Sequence, residues 1–153
     1  MGEYVKMMPG VGIKKEGGVA VSAGVVAFKE SGGRVKVLVV RGIAGEHPDL
    51  GFYGLPKGLV HEGEADEEAA ARDTREETGF RTRVGEYVGS TRYENEFGPK
   101  EARYFLAEFA GGKRGKPDGE FVWTGWVPVA TALRGLTYKS DREILQKALD
   151  KLG

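Results

Sequence analysis

Apolar residues cluster and alternate in the first third of the chain in a way that predicts a pair of strands. Residues 19–28 are rich in valine and alanine, which is typical of a buried strand. Alternating valines follow and predict a second strand over residues 35–41. The Ser-Gly-Gly segment at 31–33 predicts a turn, so we expect a hairpin. Residues 1–18 contain several glycines and are expected to form an arm or a short edge strand.

Two helices are predicted further along the chain. Residues 66–78 contain the run Glu-Glu-Ala-Ala-Ala, which favours a helix, and Gly79 is well placed to end it. Ser140 and Glu143 have the spacing of a capping box, so a last helix is expected over residues 141–149. Residues 42–63 are predicted to form a long loop, and residues 111–119 a basic, glycine-rich loop. Three further strands are predicted at residues 84–93, 102–109 and 121–127.

This order of elements is typical of an α/β protein, in which helices cover the faces of a mixed sheet. No internal repeat and no linker interrupts the pattern, and 153 residues fit one domain. We therefore expect a single domain over residues 1–153, in which a chain of this length buries about 70% of the surface that it exposes when unfolded.

Composition and charge exclude several classes of protein. Hydrophobic residues make up 40% and charged residues 30%, which is ordinary for a globular domain and unlike a disordered chain. The 23 basic and 23 acidic residues balance, which argues against a general binder of nucleic acid or membrane surfaces. No cysteine is present, no apolar run is long enough to span a membrane and no signal peptide is recognisable, so a cytoplasmic protein is expected.

Acidic residues on the central helix are the first candidate for chemistry. Asp73 lies three residues before Glu76 and four before Glu77, which places all three carboxylates on neighbouring ridges of one helix face. Like charges at this spacing repel, whereas a hard cation such as Mg²⁺ would bind them through oxygen. Arg72 lies one turn before Glu76 and could hold a carboxylate in place. Taken alone, the cluster could equally be a solvated acidic face.

The residues on either side of this helix favour a metal site over a solvated acidic face. Gly58, five residues, Glu64, seven residues and then Arg-Asp-Thr-Arg-Glu-Glu-Thr-Gly-Phe over 72–80 resemble the box motif of the Nudix family. Two positions depart from the motif, because Asp73 stands where the family has glutamate and Thr74 where it has a bulky aliphatic residue. We identify the chain as resembling the Nudix hydrolases.

That resemblance implies a loop–helix–loop packed on a mixed sheet in an α/β/α sandwich. It also implies attack by water on a phosphorus of a diphosphate linkage. Glu76, Glu77 and the backbone at Gly58 would hold Mg²⁺, for which Mn²⁺ could substitute, and Arg72 would orient the glutamates. Asp73 is one methylene shorter than the usual residue, so either it still binds through a water or another acid takes the role of base. Glu120, outside the motif, is the candidate for that base and for a further metal ligand.

Three outer segments resemble the asymmetric dinucleoside tetraphosphate hydrolases, and in part RNA 5′-pyrophosphohydrolases and diphosphoinositol polyphosphate hydrolases. They are Leu-Pro-Lys-Gly at 55–58, the strand at 100–108, and Glu120 followed six residues later by Trp126. Lys57 and Lys100 are candidates to contact phosphate, although either could be a solvated charge. Tyr104 is the first candidate to stack on adenine and Tyr138 the second, although both could be packing residues, and Glu120 could be a turn residue.

We therefore expect Mg²⁺-dependent hydrolysis of a nucleoside polyphosphate, with diadenosine tetraphosphate giving ATP and AMP as the favoured reaction. The alternatives within the family are a nucleoside triphosphate, an RNA 5′-pyrophosphate and a diphosphoinositol polyphosphate. A non-catalytic nucleotide-binding domain is the alternative from another class, and the presence of both Glu76 and Glu77 argues against it. No membrane partner is expected, nucleic acid is expected only as an RNA 5′ end, and residues 1–18 could pair in a homodimer.

Overall fold

The computed structural model describes residues 12–42, 51–116 and 121–153. Its first three strands are β1 (Lys15–Glu16), β2 (Val19–Ser31) and β3 (Arg34–Gly42). The predicted hairpin of β2 and β3 is confirmed, since Ser31 pairs with Arg34 across a two-residue turn. Gly32 and Gly33 in that turn have φ of 61° and 75°. A turn with two positive φ angles matches the twist of the flanking strands, and glycine adopts these angles without steric cost.

A mixed sheet forms the centre of the fold. Its remaining strands are β4 (Phe52–Gly54), β5 (Lys57–Leu59), β6 (Phe80–Asn95), β7 (Gly98–Gly112) and β8 (Phe121–Pro128). The order is β4-β3-β2-β7-β6, with β1 and β5 also paired to β2 and β8 paired to β3. β2 is parallel to β7, whereas the neighbouring pairs β2–β3 and β6–β7 are antiparallel. β2 and β3 pair only near their turn, and further along β5 pairs with β2 while β4 pairs with β3.

Helices cover both faces of this sheet. Helix α1 (Asp66–Thr78) packs Ala69 and Ala70 on one face, in a core cluster with Val25. Helices α2 (Val129–Gly135) and α3 (Lys139–Leu152) pack on the other face, in a cluster with Val26. Successive residues of a strand point to opposite faces, which is why these two valines belong to different clusters. The predicted α/β/α sandwich is confirmed.

Several details differ from the sequence prediction. Residues 42–63 were predicted as a loop, yet they contain β4 and β5, which are held by pairing with β3 and β2. Helix α2 was not predicted. The predicted capping box is wrong, because α3 begins at Lys139 and Ser140 therefore lies inside its first turn. The residue before the helix is Tyr138, which makes no side-chain capping bond.

The remaining predictions concern the loops and the N-terminus. The expected short edge strand is present as β1, and Ile13 forms an isolated bridge with His61. Residues 1–11 and 43–50 lie outside the described residues. Of the predicted glycine-rich loop, Gly111 and Gly112 end β7, residues 113–116 lack regular structure, and 117–119 lie outside the described residues. Among the described helices, none has the length and apolar character needed to cross a membrane.

Candidate metal and phosphate site

Helix α1, which carries the acidic residues, has the bounds predicted from sequence. Acidic residues fill its first turn and Arg75 lies in its last turn, which complements the helix dipole. Glu68 Oε1 accepts a hydrogen bond from the Ala65 N–H at 3.1 Å at the start of the helix. At the end, Gly79 adopts a left-handed φ of 83° and donates its N–H to Arg75 O at 2.9 Å. Local sequence is therefore sufficient to define this helix.

A half-buried ion-pair cluster fixes the start of the same helix. Asp66 accepts hydrogen bonds from Lys14 Nζ and Arg103 Nη1, each at 2.9 Å. Burial alone would raise the pKa of Asp66, but these two cations outweigh it and lower the pKa below its usual value. Glu16 adds a second acceptor for Arg103. The cluster ties β1, α1 and β7 together on the face that α1 covers.

Arg72 holds the loop before the helix against the acidic residues. Its Nε and Nη2 donate to the two oxygens of Glu64 at 2.7 and 2.9 Å, which is a bidentate arrangement. Nη2 also donates to Leu59 O at 3.1 Å, and Nη1 donates to Asp73 at 3.2 Å and Glu76 at 3.4 Å. The pKa of Arg72 is raised, chiefly by the hydrogen bonds to Glu64. Arg72 thus contacts Glu76 but binds Glu64 more closely. From the sequence, Glu64 was predicted only as a position of the box motif, without a role of its own.

Glu64 is itself held in its ionised form. Burial would raise its pKa, yet the hydrogen bonds from Arg72 and from the His61 N–H outweigh burial and leave the pKa below its usual value. The His61 N–H donates to Glu64 Oε1 at 3.0 Å. The pair of Glu64 and Arg72 therefore joins the loop of residues 57–64 to the helix.

Asp73, the departure from the family motif, packs directly on that loop. The residue is buried, with 4% of its surface exposed. A Cβ atom at Gly58 would overlap the Asp73 carboxylate, so the close approach requires glycine at 58. The shorter acid thus lies against the backbone of Gly58, which was predicted from the sequence to be a metal ligand.

Glu76 and Glu77 complete the acidic face. The Glu76 side chain is 43% exposed, whereas Glu77 is half-buried and its Oε1 is inaccessible to solvent. Among the described residues no three histidine, cysteine or acidic side chains already converge as a metal centre. The donor set nevertheless fits a hard divalent cation, because Glu76 and Glu77 supply carboxylate oxygens on the helix whose Asp73 carboxylate lies against Gly58. Glu120, the predicted further ligand or base, lies outside the described residues.

Lys57 lies in a polar cluster with two residues that the sequence did not single out. Its Nζ donates to Tyr93 Oη at 3.1 Å and lies 5.0 Å from the centre of the Tyr93 ring. Asp141, at the start of α3, accepts a hydrogen bond from the Leu55 N–H. Burial raises the pKa of Asp141 to about 6, and the nearby charge of Lys57 partly opposes this rise. Asp141 is remote in sequence and follows no motif, so only the three-dimensional contacts could reveal it.

Two of the predicted substrate contacts are buried. Tyr104 is 1% exposed and belongs to the core beneath α2 and α3, so in this structure its ring is covered, and its stacking on adenine stays a prediction. The reason is strand alternation, which points residue 104 to the same face as Ala102. Lys100 is 5% exposed and pairs in register with Tyr93, which places its strand beside the Lys57 cluster. Its contact with phosphate stays a prediction.

Tyr138 lies just before α3 and is half-buried. Its ring centre is 6.4 Å from that of Phe52, at a tilt of 42°. Stacking of Tyr138 on a base stays a prediction.

The sequence profile of the NUDIX domain matches residues 18–148. This chain belongs to the NUDIX family. The resemblance identified from the residues of the box motif is confirmed at the level of the family, whose hydrolases generally use divalent metal ions.

Curated relatives of this NUDIX domain match about two thirds of the chain. An 8-oxo-(d)GTP phosphatase of Mycolicibacterium smegmatis is 35% identical over 100 residues, covering 65% of this chain and 31% of the relative. Nudix hydrolase 6 of Arabidopsis thaliana is 34% identical over 109 residues, covering 69% of this chain and 38% of the relative. The chain thus spans less than half the length of these curated relatives.

Solved structures share the fold of this NUDIX domain. An Ap4A hydrolase of C. elegans, in a binary complex, superposes with a TM-score of 0.74 at 24% identity, covering 88% of this chain and 98% of that one. The NUDIX domain of Shewanella oneidensis NrtR, complexed with ADP ribose, superposes with a TM-score of 0.73 at 21% identity, covering 88% and 89%. These likenesses establish the fold.

Proposed function

We propose that this NUDIX domain is a Mg²⁺-dependent pyrophosphohydrolase that cleaves a diphosphate linkage in a nucleoside polyphosphate. The observation that carries the proposal is the packing of Asp73 against Gly58, on the same helix as Glu76 and Glu77. This packing supports a cluster of oxygen donors beside a loop backbone. Lys57, one residue before Gly58, adds a positive charge where a polyphosphate would need one.

Each residue of the site has a distinct role in this proposal. Glu76, Glu77 and the Gly58 backbone would hold the cation, with Asp73 and Glu120 as the further acids. When bound, a divalent cation offsets phosphate charge and lowers the pKa of an attacking water. Arg72 keeps Glu64, Asp73 and Glu76 in fixed relative positions through its hydrogen bonds. Lys57, oriented by Tyr93, would bind the phosphate chain.

Diadenosine tetraphosphate is the favoured substrate, with ATP and AMP as products. The support is the resemblance of residues 55–58 and 100–108, and of Glu120 with Trp126, to the asymmetric dinucleoside tetraphosphate hydrolases. The C. elegans structure that shares this fold is also named as an Ap4A hydrolase, although at 24% identity it supports the fold alone.

A nucleoside triphosphate is the second candidate. The observation that favours it is the relative of Mycolicibacterium smegmatis, which is named as an 8-oxo-(d)GTP phosphatase and is 35% identical to this chain over 100 residues. Both substrates contain a nucleoside joined to a chain of phosphates, so the same acidic face and lysine could serve either one.

Incubation of the purified protein with Mg²⁺ and either diadenosine tetraphosphate or 8-oxo-dGTP, followed by chromatography of the products, separates the two candidates. We expect ATP and AMP from the first compound. Turnover of 8-oxo-dGTP alone would move the assignment to the second candidate, and turnover of neither compound would contradict both candidates.

Glu77→Gln tests the assigned metal site, with Glu86→Gln, at an exposed acid on β6, as the matched control. We expect calorimetric titration with Mn²⁺ to show weaker binding only for Glu77→Gln. Equal binding by both variants would show that the metal site has been assigned wrongly.

A further inference from the structure

A row of three side chains crosses the sheet at the end of β3. Arg41 pairs in register with Tyr53 on β4 and with Trp123 on β8. Residues that pair directly across strands project from the same face, so Tyr53 and Trp123 flank Arg41 on one face of the sheet. Arg41 Cζ is 5.6 Å from the centre of the Tyr53 ring. This face is the one that α2 and α3 cover further along β3.

The row borders a cavity of about 650 Å³ between the sheet and α2. Val39 and Val127 contribute to its apolar lining from the sheet, and Leu136 contributes from the end of α2. The volume lies within the range of about 300–1,000 Å³ that is usual for small-molecule sites. It is therefore large enough for a nucleoside.

Gly125 allows the Trp123 indole to lie flat along β8. A Cβ atom at Gly125 would come within 2.6 Å of Trp123 Cζ2 and 2.8 Å of Arg114 Nη2. The guanidinium of Arg114 lies 5.2 Å from the centre of the Trp123 ring. Glycine at 125 thus keeps the space that the indole and the guanidinium occupy.

The chemistry of the lining favours a flat aromatic ligand that carries negative charge. Tyr53 and Trp123 offer ring surfaces, and Arg41 offers a planar cation that can bind ring acceptors or phosphate. Among the described residues that line the cavity none is acidic. A nucleobase attached to phosphates matches this combination, whereas a cationic ligand would find no counter-charge.

The cavity is also close in the chain to the candidate phosphate site. Tyr53 is followed four residues later by Lys57, and an extended segment of that length spans at most about 14 Å. Lys57 lies beside Tyr93 and Asp141. We propose that the cavity bordered by Tyr53, Arg41 and Trp123 binds a nucleobase of the nucleoside polyphosphate whose phosphates Lys57 contacts. This assignment rests on the proposed function.

Tryptophan fluorescence tests the cavity without requiring turnover, because the chain has only two tryptophans, Trp123 and Trp126. Trp126 packs against Phe80 and Phe109 on the opposite face of the sheet. Titration with AMP and with GMP should quench the emission of the wild type and of Trp126→Phe, and should leave Trp123→Phe unchanged. Absence of quenching by both nucleotides, or quenching that persists in Trp123→Phe, would overturn the proposal.

Tyr53→Ala and Arg41→Ala provide a second test, with Arg83→Ala, at a 71% exposed arginine on β6, as the control. Tyr53→Ala removes a stacked ring and Arg41→Ala removes the planar cation, and each change should raise the Kd for AMP about tenfold, equivalent to about 1.4 kcal/mol. The KM for diadenosine tetraphosphate should rise similarly, with kcat nearly unchanged. Circular dichroism and thermal unfolding would verify that each variant is folded.

The two proposals fail in different ways. If the wild type binds AMP with quenching of Trp123 but hydrolyses no nucleotide, the proposed function fails and the cavity assignment stands. If the wild type hydrolyses diadenosine tetraphosphate while Tyr53→Ala and Arg41→Ala keep the wild-type KM and Kd, the cavity assignment alone fails.

Discussion

Asp73 and Gly58 are in such close contact that the carboxylate of one fills the space where the side chain of the other would be. The contact joins the middle of α1 to strand β5, and it involves the acid at which this chain departs from the family motif. The two positions are therefore coupled, because a longer residue at 73 or any side chain at 58 would require the loop to move.

Gly58→Ala should consequently lower both stability and activity. The added methyl group overlaps a buried carboxylate, and overpacking of this kind costs about 1–3 kcal/mol. Urea unfolding would measure the loss, with Gly85→Ala on β6 as the control, because a Cβ atom there meets nothing closer than Leu106 O at 3.7 Å. Equal stability of the two variants would contradict the close contact.

Arg72→Lys should weaken the site although it keeps the positive charge. A lysine ammonium cannot reproduce the paired bonds to Glu64 together with the contacts to Leu59 O and Asp73. Loss of hydrogen bonds to charged groups costs about 1.5–3 kcal/mol each, less whatever the lysine recovers. Thermal unfolding and Mn²⁺ titration would measure the effect. Arg75→Lys, at an exposed position on the same helix, should behave like the wild type.

Asp141 should make stability depend on pH. Its pKa is raised to about 6 by burial, from an ordinary value of 3.8. The folded protein therefore binds this proton more tightly than the unfolded chain does. The resulting stabilisation is fully present below about pH 4 and is lost as the pH rises through 6, a change of roughly 3 kcal/mol.

The measurement is the free energy of unfolding in urea at pH 5, 6 and 7, for the wild type and for Asp141→Asn. Subtraction of the two curves removes the contribution of other titrating groups. We expect the wild type to lose stability relative to the variant as the pH rises, whereas Asp150→Asn at the exposed end of α3 should leave the slope unchanged. Parallel curves for the wild type and Asp141→Asn would contradict the raised pKa.

Lys57→Ala and Tyr93→Phe should act on substrate binding to different extents. Lys57→Ala removes the charge that we assign to the phosphates, so KM should rise by more than tenfold, about 1.4 kcal/mol or more. Tyr93→Phe removes only the hydroxyl that accepts the Lys57 hydrogen bond, a change worth about 1 kcal/mol, or about fivefold in KM. Steady-state kinetics with Tyr87→Phe as control would compare them. A larger effect for Tyr93→Phe than for Lys57→Ala would reverse these roles.

Local sequence was enough to predict α1 and the β2–β3 hairpin. Helix α1 begins with acidic residues and ends at Gly79, and the hairpin turn needs the two glycines at 32 and 33. These features act over a few neighbouring residues, so a single sequence contains them. The acidic face could be predicted once the helix was, because residues three or four positions apart lie on the same face of a regular helix.

Features that depend on distant parts of the chain could not be predicted in this way. β4 and β5 have three residues each and exist because β3 and β2 pair with them. The alternation that defines a strand does not say which face is covered, so Tyr104 was assigned to the substrate while α2 and α3 in fact bury it. Asp141 reaches the Lys57 cluster only because α3 packs on the sheet, and Tyr93 only because β6 pairs with β7.

The parallel pairing of β2 with β7 has a consequence for how the protein folds. Ala20 pairs with Lys100 and Phe28 with Glu108, so each pair of partners is 80 positions apart in the sequence. Closing so large a loop is entropically costly and makes such pairing a slow, late event. Lys57 on one side of this pair and Tyr93 on the other meet only after it has formed. Catalytic competence should therefore appear late in refolding, after helix α1 has acquired its secondary structure.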